Sequence, residues 1–362
     1  VLLSDVQEQW MPGRHSPGMR NRISRLGFPV KVMARDDLKS NDSRRAASNP
    51  HLKVSLEYVD AILDHLVKCG INMYRMSSDL APYATHPDMP QFHDMVKESA
   101  PELRALGQKA KSLDIRLSFH PSQFVVLNSP DSELVRKSIW DLVSQAEMLD
   151  LMELGPEAVM VIHVGGTYGD IPSSRARWVE TWNILPEPVR RRLVLEHDDL
   201  RFSAADALWI HEQTGVRLIF DYQHFWCLNP ERADLKETFR KFMATWPDDQ
   251  QPKIHFSSPR TELREKVVVD RVTKKKSLRP VPPVFTGHAD FCNPFEFATF
   301  MRVVDDEDFD VMLEVKAKDL ALLRLRSDLL RYAPDLAPRF GLDPKDAAAL
   351  EPQDEAGMDE EA

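Results

Sequence analysis

The apolar positions of the chain fall into eight short, β-branched runs separated by longer stretches with helical spacing. The runs cover residues 24–28, 71–76, 115–120, 158–164, 192–196, 216–221, 252–256 and 310–314. Near-continuous hydrophobicity over five to seven residues is the pattern of a strand buried on both faces, as in a parallel sheet. Between the runs, residues 54–68, 101–113, 134–154, 204–213, 235–246 and 319–331 place apolar side chains on one helical face. This alternation predicts one α/β domain, a (β/α)8 TIM barrel over residues 24–335. A doubly wound open sheet is the competing fold. It would carry a glycine-rich phosphate turn after its first strand, and Phe28, Pro29 and Val30 do not form one. Residues 1–23 read as an N-terminal extension, and residues 336–362 as a disordered acidic tail rich in Asp, Glu, Ala and Pro.

Composition narrows the class. With 43% apolar and 29% charged residues among 362, the chain reads as an ordinary soluble globular protein. No run approaches the ~18 apolar residues of a membrane span. The first 25 residues hold arginines but no apolar stretch of the kind a secretory signal needs. Cys69, Cys227 and Cys292 are far apart and form no CxxC pair, which points to a reducing setting, cytoplasm or nucleoid, rather than a disulfide framework.

Charge changes the picture only once it is located. The net charge is -10, but residues 343–362 hold eight acids against one lysine, so the rest of the chain carries only -3. Residues 14–45 hold nine Lys/Arg against three acids, and residues 260–279 hold eight against three. The second segment reads as a basic insertion after the seventh strand. Phosphate contact needs a local positive surface, not a positive total. Solvated loops are the alternative for both segments.

The strand ends carry the candidate chemistry. The third run ends in His120, the fourth carries His163, the fifth ends in Glu196 and the sixth in Asp221, with His224 one turn on. The seventh carries His255 and the eighth ends in Glu314. A single histidine near an apolar strand is usually a satisfied buried side chain. Six consecutive strands delivering an imidazole or a carboxylate to one rim have no use in a neutral core. With His86 and His288 in flanking loops, nine candidate donors result. Mixed His and carboxylate ligands suit Zn2+, Mn2+ or Fe2+, and one tetrahedral ion takes about four of them. Nine donors therefore predict a two- or three-metal cluster, the arrangement that performs in-line phosphoryl displacement. Lys253, two residues before His255, points to the same inward side. Beside cations its amine would be driven neutral or modified; the other reading is a rim lysine paired with a carboxylate such as Glu314.

The stretches YRMSSDLAPYATHP (74–87), SFHPSQF (118–124), VIHVGGTYGD (161–170), FDYQHFWCLNP (220–230), KIHFSSPR (253–260), GHADFCNPFEF (287–297) and MLEVKAKDLAL (312–322) resemble the UV damage endonuclease family, in order and over most of the chain. The resemblance implies a xylose-isomerase-like TIM barrel that incises DNA 5′ to ultraviolet photoproducts and related lesions. It implies a cluster of three divalent ions, Mn2+ first, with Zn2+, Co2+ or Mg2+ as alternatives. The ligands it implies are His86, His120, His163, Glu196, Asp221, His224, His255, His288 and Glu314. Glu196, Lys253 and Glu314 become the expected catalytic group, with Lys253 matching a lysine that can be carboxylated. Gln123 and Phe124 match a Gln-Tyr pair that wedges into the duplex, so Phe124 inherits only the stacking role. A buried anchor for the loop is its competing role. His197 stands where asparagine is expected. The segment 264–279 looks like an insertion relative to shorter members, and Lys274, Lys275 and Lys276 are its expected DNA contacts. The implied partner is damaged double-stranded DNA, bound by a monomer without a membrane. An abasic-site nuclease and a sugar isomerase of the same superfamily are the rival functions.

Overall fold

Each predicted run becomes a parallel strand because its side chains are apolar on both faces and leave no edge for water. The strands are β1 (Leu26–Pro29), β2 (Met73–Arg75), β3 (Arg116–Ser118), β4 (Met160–His163), β5 (Leu193–Glu196), β6 (Arg217–Ile219), β7 (Lys253–Phe256) and β10 (Asp310–Leu313). Every residue of β1, β5, β7 and β10 is buried. A computed structural model gives this structure, and it describes residues 23–346. The expected N-terminal extension before Ile23 and the acidic tail beyond Asp346 lie outside the described residues. The packed unit runs past the expected boundary at 335, since Leu336, Ala337, Phe340 and Leu342 are buried in the main core.

The parallel strands form a five-stranded sheet in the order β3-β2-β1-β10-β7 and a three-stranded sheet in the order β4-β5-β6. Isolated parallel bridges, Phe119 to Met160 and Asp221 to His255, connect β3 to β4 and β6 to β7. Each end of the smaller sheet therefore meets an end of the larger one. The basic segment forms the remaining two strands, β8 (Arg264–Val269) and β9 (Lys276–Val281), an antiparallel hairpin separate from both sheets.

Helices cover the outer faces where the periodicity placed them, at Leu52–Lys68, Ala100–Ser112, Ser132–Leu151, Ala204–Thr214, Leu235–Met243 and Lys318–Tyr332. Their starts are written in the sequence. Asp131 accepts from Glu133 N–H and Leu134 N–H, and Asp234 accepts from Glu237 N–H. Ile171–Ile184 was not predicted. Its buried face is Ser174, Trp178, Thr181 and Trp182, and two hydroxyls on that face break the apolar period.

Side-chain alternation sorts the strands' inner face into levels. Val161, Val194 and Ile219 form a small apolar cluster with Val159 and Trp246, apart from the main core. Two residues further along β4 and β5 come His163 and Glu196, and two beyond Ile219 comes Asp221. At the other end of the same face sit buried charges. Arg116 donates from Nη1 to Asp310 Oδ2 at 2.8 Å, and Arg25 N–H donates to Asp310 Oδ1 at 2.9 Å. Trp246 lies under two guanidinium groups, those of Arg116 (5.9 Å) and Arg217 (5.0 Å).

Asp310→Ala leaves the Arg116 cation buried without its carboxylate, so a loss of about 3–5 kcal/mol is expected in urea unfolding. A loss below about 1 kcal/mol would show that Arg116 finds compensation elsewhere.

Candidate metal centre

Period-two alternation brings the rim residues together. Glu196, at the end of β5, is fully buried and is the common neighbour of four imidazoles. Its Oε2 lies 3.3 Å from His120 Nε2 and 3.8 Å from His163 Nε2. Its Oε1 lies 2.9 Å from His255 Nδ1 and 3.4 Å from His224 Nδ1. Glu314 approaches His255 Nδ1 at 3.2 Å from the other side. Two groups have donor atoms all within 4.8 Å of one another: His120, His163 and Glu196, and Glu196, Asp221, His255 and Glu314, so Glu196 is shared.

Hydrogen bonds fix which ring nitrogens are free. His120 Nδ1 donates to Pro121 O (3.0 Å), His224 Nδ1 to His197 O (2.9 Å) and His288 Nδ1 to Glu314 O (2.7 Å). Each such bond puts the proton on Nδ1 and leaves the Nε2 lone pair available, as a ligating imidazole requires. His120 Nε2 then faces a carboxylate oxygen, lone pair to lone pair, unless a cation or proton stands between them. Buried Asp221 Oδ2, His255 Nε2 and His163 Nδ1 have no hydrogen-bond partner. An orphaned buried carboxylate oxygen is costly, and a divalent cation satisfies it. The donor set therefore fits divalent metal ions.

Electrostatics agree. Burial, then the charges of Glu314 and Asp221, raises Glu196 well above the ordinary carboxylate range. Burial pushes Glu314 up, but the Arg75 guanidinium paired with it and the rings of His255, His288 and His120 together outweigh this and hold it well below the ordinary carboxylate range. Burial, then Arg75, lowers His120 to about 4. Burial, then His120 and His224, lowers His163 to about 3. Both rings are thus neutral, the form that binds metal.

Not every expected residue joins the groups. His86 is in neither group: its Nδ1 accepts from Asp88 N–H at 3.2 Å, and it lines a cleft of about 260 Å³ with Tyr83, Ser122, Phe124 and Asp141. His288 is near the centre, with its ring 6.3 Å from that of His224. Lys253 is fully buried beneath His255 and donates to Ser118 Oγ at 3.3 Å, so it is not the rim lysine paired with Glu314. Burial, then Arg116 and Arg75, lowers its amine well below the usual lysine range. Phe124 is 74% exposed, which excludes the buried-anchor role. Lys274, Lys275 and Lys276 are exposed on the hairpin.

Two residues escaped the sequence reading. Arg75 ends β2 and pairs with Glu314; it sits at a strand end like the rest, but a search for imidazoles and carboxylates passes over a guanidinium. His197, flagged only as a departure, is buried, and its Nε2 accepts from Asp221 N–H at 3.1 Å while its carbonyl accepts from His224. It thereby holds two candidate donors in place. An asparagine carbonyl could fill the same acceptor role, so the substitution preserves the bond by a different group.

The UV-endonuclease UvdE family model matches residues 33–336, most of the chain. The chain belongs to the UvdE family. A UV DNA damage endonuclease of Bacillus velezensis is 33% identical over 306 residues, covering 83% of this chain and 89% of that protein. One of Bacillus pumilus is 34% identical over 260 residues, covering 72% and 75%. The crystal structure described as SacUVDE superposes with a TM-score of 0.70 at 31% identity, covering 85% of this chain and 98% of that one. Membership agrees with the resemblance read from the motifs, and the hairpin is a feature of this UvdE chain to be explained separately. No described helix is long and apolar enough to cross a membrane.

In the metal-free protein, His120 and His163 should stay neutral through pH 5 and titrate near 4 and 3, against 6.5 for a free imidazole. The unfolded His163 takes its proton near 6.5, whereas the folded one refuses it until about 3. Its contribution to stability therefore falls as pH drops through that window, relative to His163→Asn. Ring chemical shifts followed by NMR give the test, and titration of either ring near 6.5 would contradict the burial argument.

Proposed function

We propose that the protein is a DNA repair endonuclease that hydrolyses the phosphodiester 5′ to ultraviolet photoproducts and related lesions in duplex DNA. The observation that carries this reading is the shared carboxylate of Glu196, ringed by four imidazoles and two further carboxylates within reach of an exposed aromatic loop. His120, His163, Glu196, Asp221, His224, His255, His288 and Glu314 would hold the cations, a donor set large enough for as many as three, with Mn2+ the first choice. Bound divalent cations supply Lewis acidity, lower the pKa of water and neutralise phosphate charge. The chain's own groups do the rest. Arg75 fixes Glu314, His197 fixes Asp221 and His224, and the buried amine of Lys253 is kept uncharged, the state in which it can take up carbon dioxide as a carbamate. The two bridges between the sheets support reading the eight strands as a closed (β/α)8 barrel whose mouth holds this centre.

Damage recognition is assigned to Gln123 and Phe124, three and four residues after His120. An exposed ring there can fill the gap left by a displaced base, and a damaged base costs less to unstack than an intact one. A sugar isomerase has no use for a solvent-facing phenylalanine on this loop. An abasic-site nuclease would share the geometry, so the substrate decides between the two.

Glu196→Gln should abolish nicking of irradiated duplex in manganese-reconstituted protein while the thermal transition stays cooperative; near-normal activity would sink the assignment. Phe124→Ala should weaken binding to photoproduct-containing duplex about ten- to a hundredfold, as the ~1–3 kcal/mol of one base stack implies. Phe124→Tyr should bind normally, and undamaged duplex should respond much less to either change. Anisotropy at one fixed salt concentration separates these outcomes, and equal weakening on both duplexes would overturn the wedge. Faster incision at an abasic site than at a photoproduct would favour the rival nuclease.

A further inference from the structure

The β8–β9 hairpin forms a sheet of its own, apart from the two parallel sheets, and its composition opposes that of the whole protein. From Arg264 to Val281 it carries seven basic residues against two acids, a local +5 in a chain of net charge -10. Lys266, Arg271, Lys274, Lys275, Lys276 and Arg279 form no ion pair among the described residues, whereas Arg264 at the root pairs with Asp290.

Its register sorts the two faces. Arg264 pairs with Val281, Lys266 with Arg279 and Val268 with Ser277, which puts three cations on one side. Val267 with Leu278 and Val269 with Lys276 lie on the other. The turn is built rather than loose. Asp270 Oδ1 accepts from Val272 N–H at 3.0 Å and from Thr273 N–H at 2.6 Å, and Lys274 takes a left-handed φ of 55°. This turn presents Lys274, Lys275 and Lys276 together at the tip. The root is tied to the metal centre: Pro259 bridges His288, and Ala289 N–H donates to Ser258 O at 2.9 Å.

We propose that this hairpin is a duplex-binding arm that lies along the phosphate backbone of undamaged DNA to one side of the incision site. The proposal rests on the endonuclease reading. Charge complementarity selects the occupant: the arm is a concentrated cation on an acidic protein, and DNA carries one negative charge per ~1.7 Å of helix. Six residues of strand reach about 20 Å, which spans roughly six base pairs. The arm therefore adds sequence-independent affinity for flanking duplex and takes no part in lesion choice.

The full-length protein is compared with Lys266→Gln/Lys274→Gln/Lys275→Gln/Lys276→Gln and with Lys274→Arg/Lys275→Arg/Lys276→Arg. Binding is measured by anisotropy on undamaged duplexes of stepwise increasing length across a salt series, and contacts by hydroxyl-radical footprinting. The glutamine variant should lose roughly six base pairs of protection on one side only. Its salt slope should fall by up to ~3.6, at about 0.9 per lost contact. The arginine variant should keep both, and incision of a short irradiated duplex should persist in all three. An unchanged footprint and slope in a protein that still nicks overturns the arm alone. A footprint that shrinks as expected in a protein that does not nick irradiated DNA supports the arm and defeats the endonuclease reading. If the slope is unchanged and Leu278→Ser instead dissociates a dimer in sedimentation, the hairpin is a self-association surface and the arm is overturned.

Discussion

Burial of Glu196 is the constraint around which the rest is arranged. A carboxylate with no exposure cannot stay ionised in an apolar interior unless positive charge reaches it. Burial holds three of its four imidazole neighbours, His120, His163 and His255, towards the neutral form; His224 is the exception, since burial opposes its charge but Asp221, Glu314 and the His197 carbonyl together raise it. Arg75 is committed to Glu314, and the lysine beneath is itself driven towards neutrality. Three convergent carboxylates with so little fixed positive charge call for protons or cations among them, and burial with the charges of Glu314 and Asp221 raises Glu196 accordingly. The same deficit fits the centre to divalent cations.

The inner face separates opposite problems by distance. At its far end Arg116, Arg192 and Arg217 are buried with Asp310 fully enclosed, and burial followed by the two neighbouring guanidiniums lowers Arg217 to about 10. At the rim the excess is acidic. Val161, Val194 and Ile219 lie between the two and fill the space with apolar volume. At the far end, backbone carbonyls and Trp246 take up the guanidinium groups, whereas at the rim Asp221 Oδ2, His255 Nε2 and His163 Nδ1 are left without a hydrogen-bond partner. Lys253 lies beside Asp310 in the sheet and two residues below His255, and burial, then Arg116 and Arg75, lowers its amine well below the usual lysine range.

Much of this was legible in the chain because strands buried on both faces leave an unambiguous trace. All eight runs match parallel strands within a few residues, and the imidazoles and carboxylates at their ends converge as the alternation requires. The failures have specific causes. Ile171–Ile184 buries hydroxyls, so its period is blurred. The hairpin alternates cations with valines, which reads as a charge run rather than as strands, since neither of its faces is buried. Arg75 is invisible to a search for ligands because its role is to hold one. His86 sits on a loop whose geometry local pattern does not specify, and it lines the cleft that Phe124 borders.

Under the proposed function, the distribution of charge implies an order of events at the site. An acidic protein with three carboxylates at its rim would repel a phosphodiester until cations occupied the centre. Binding at the reacting position would then depend on metal, whereas contact through the proposed arm would not. An exposed aromatic ring, indifferent to charge, adds affinity only where a base can be displaced. The three proposed contributions, with different dependences on salt, on metal and on base stacking, would thus sit on three separate elements: the hairpin, the strand ends and the loop after β3. Under the proposed roles, that separation would let the protein hold intact duplex weakly through phosphates alone and commit at the centre only where stacking has already failed.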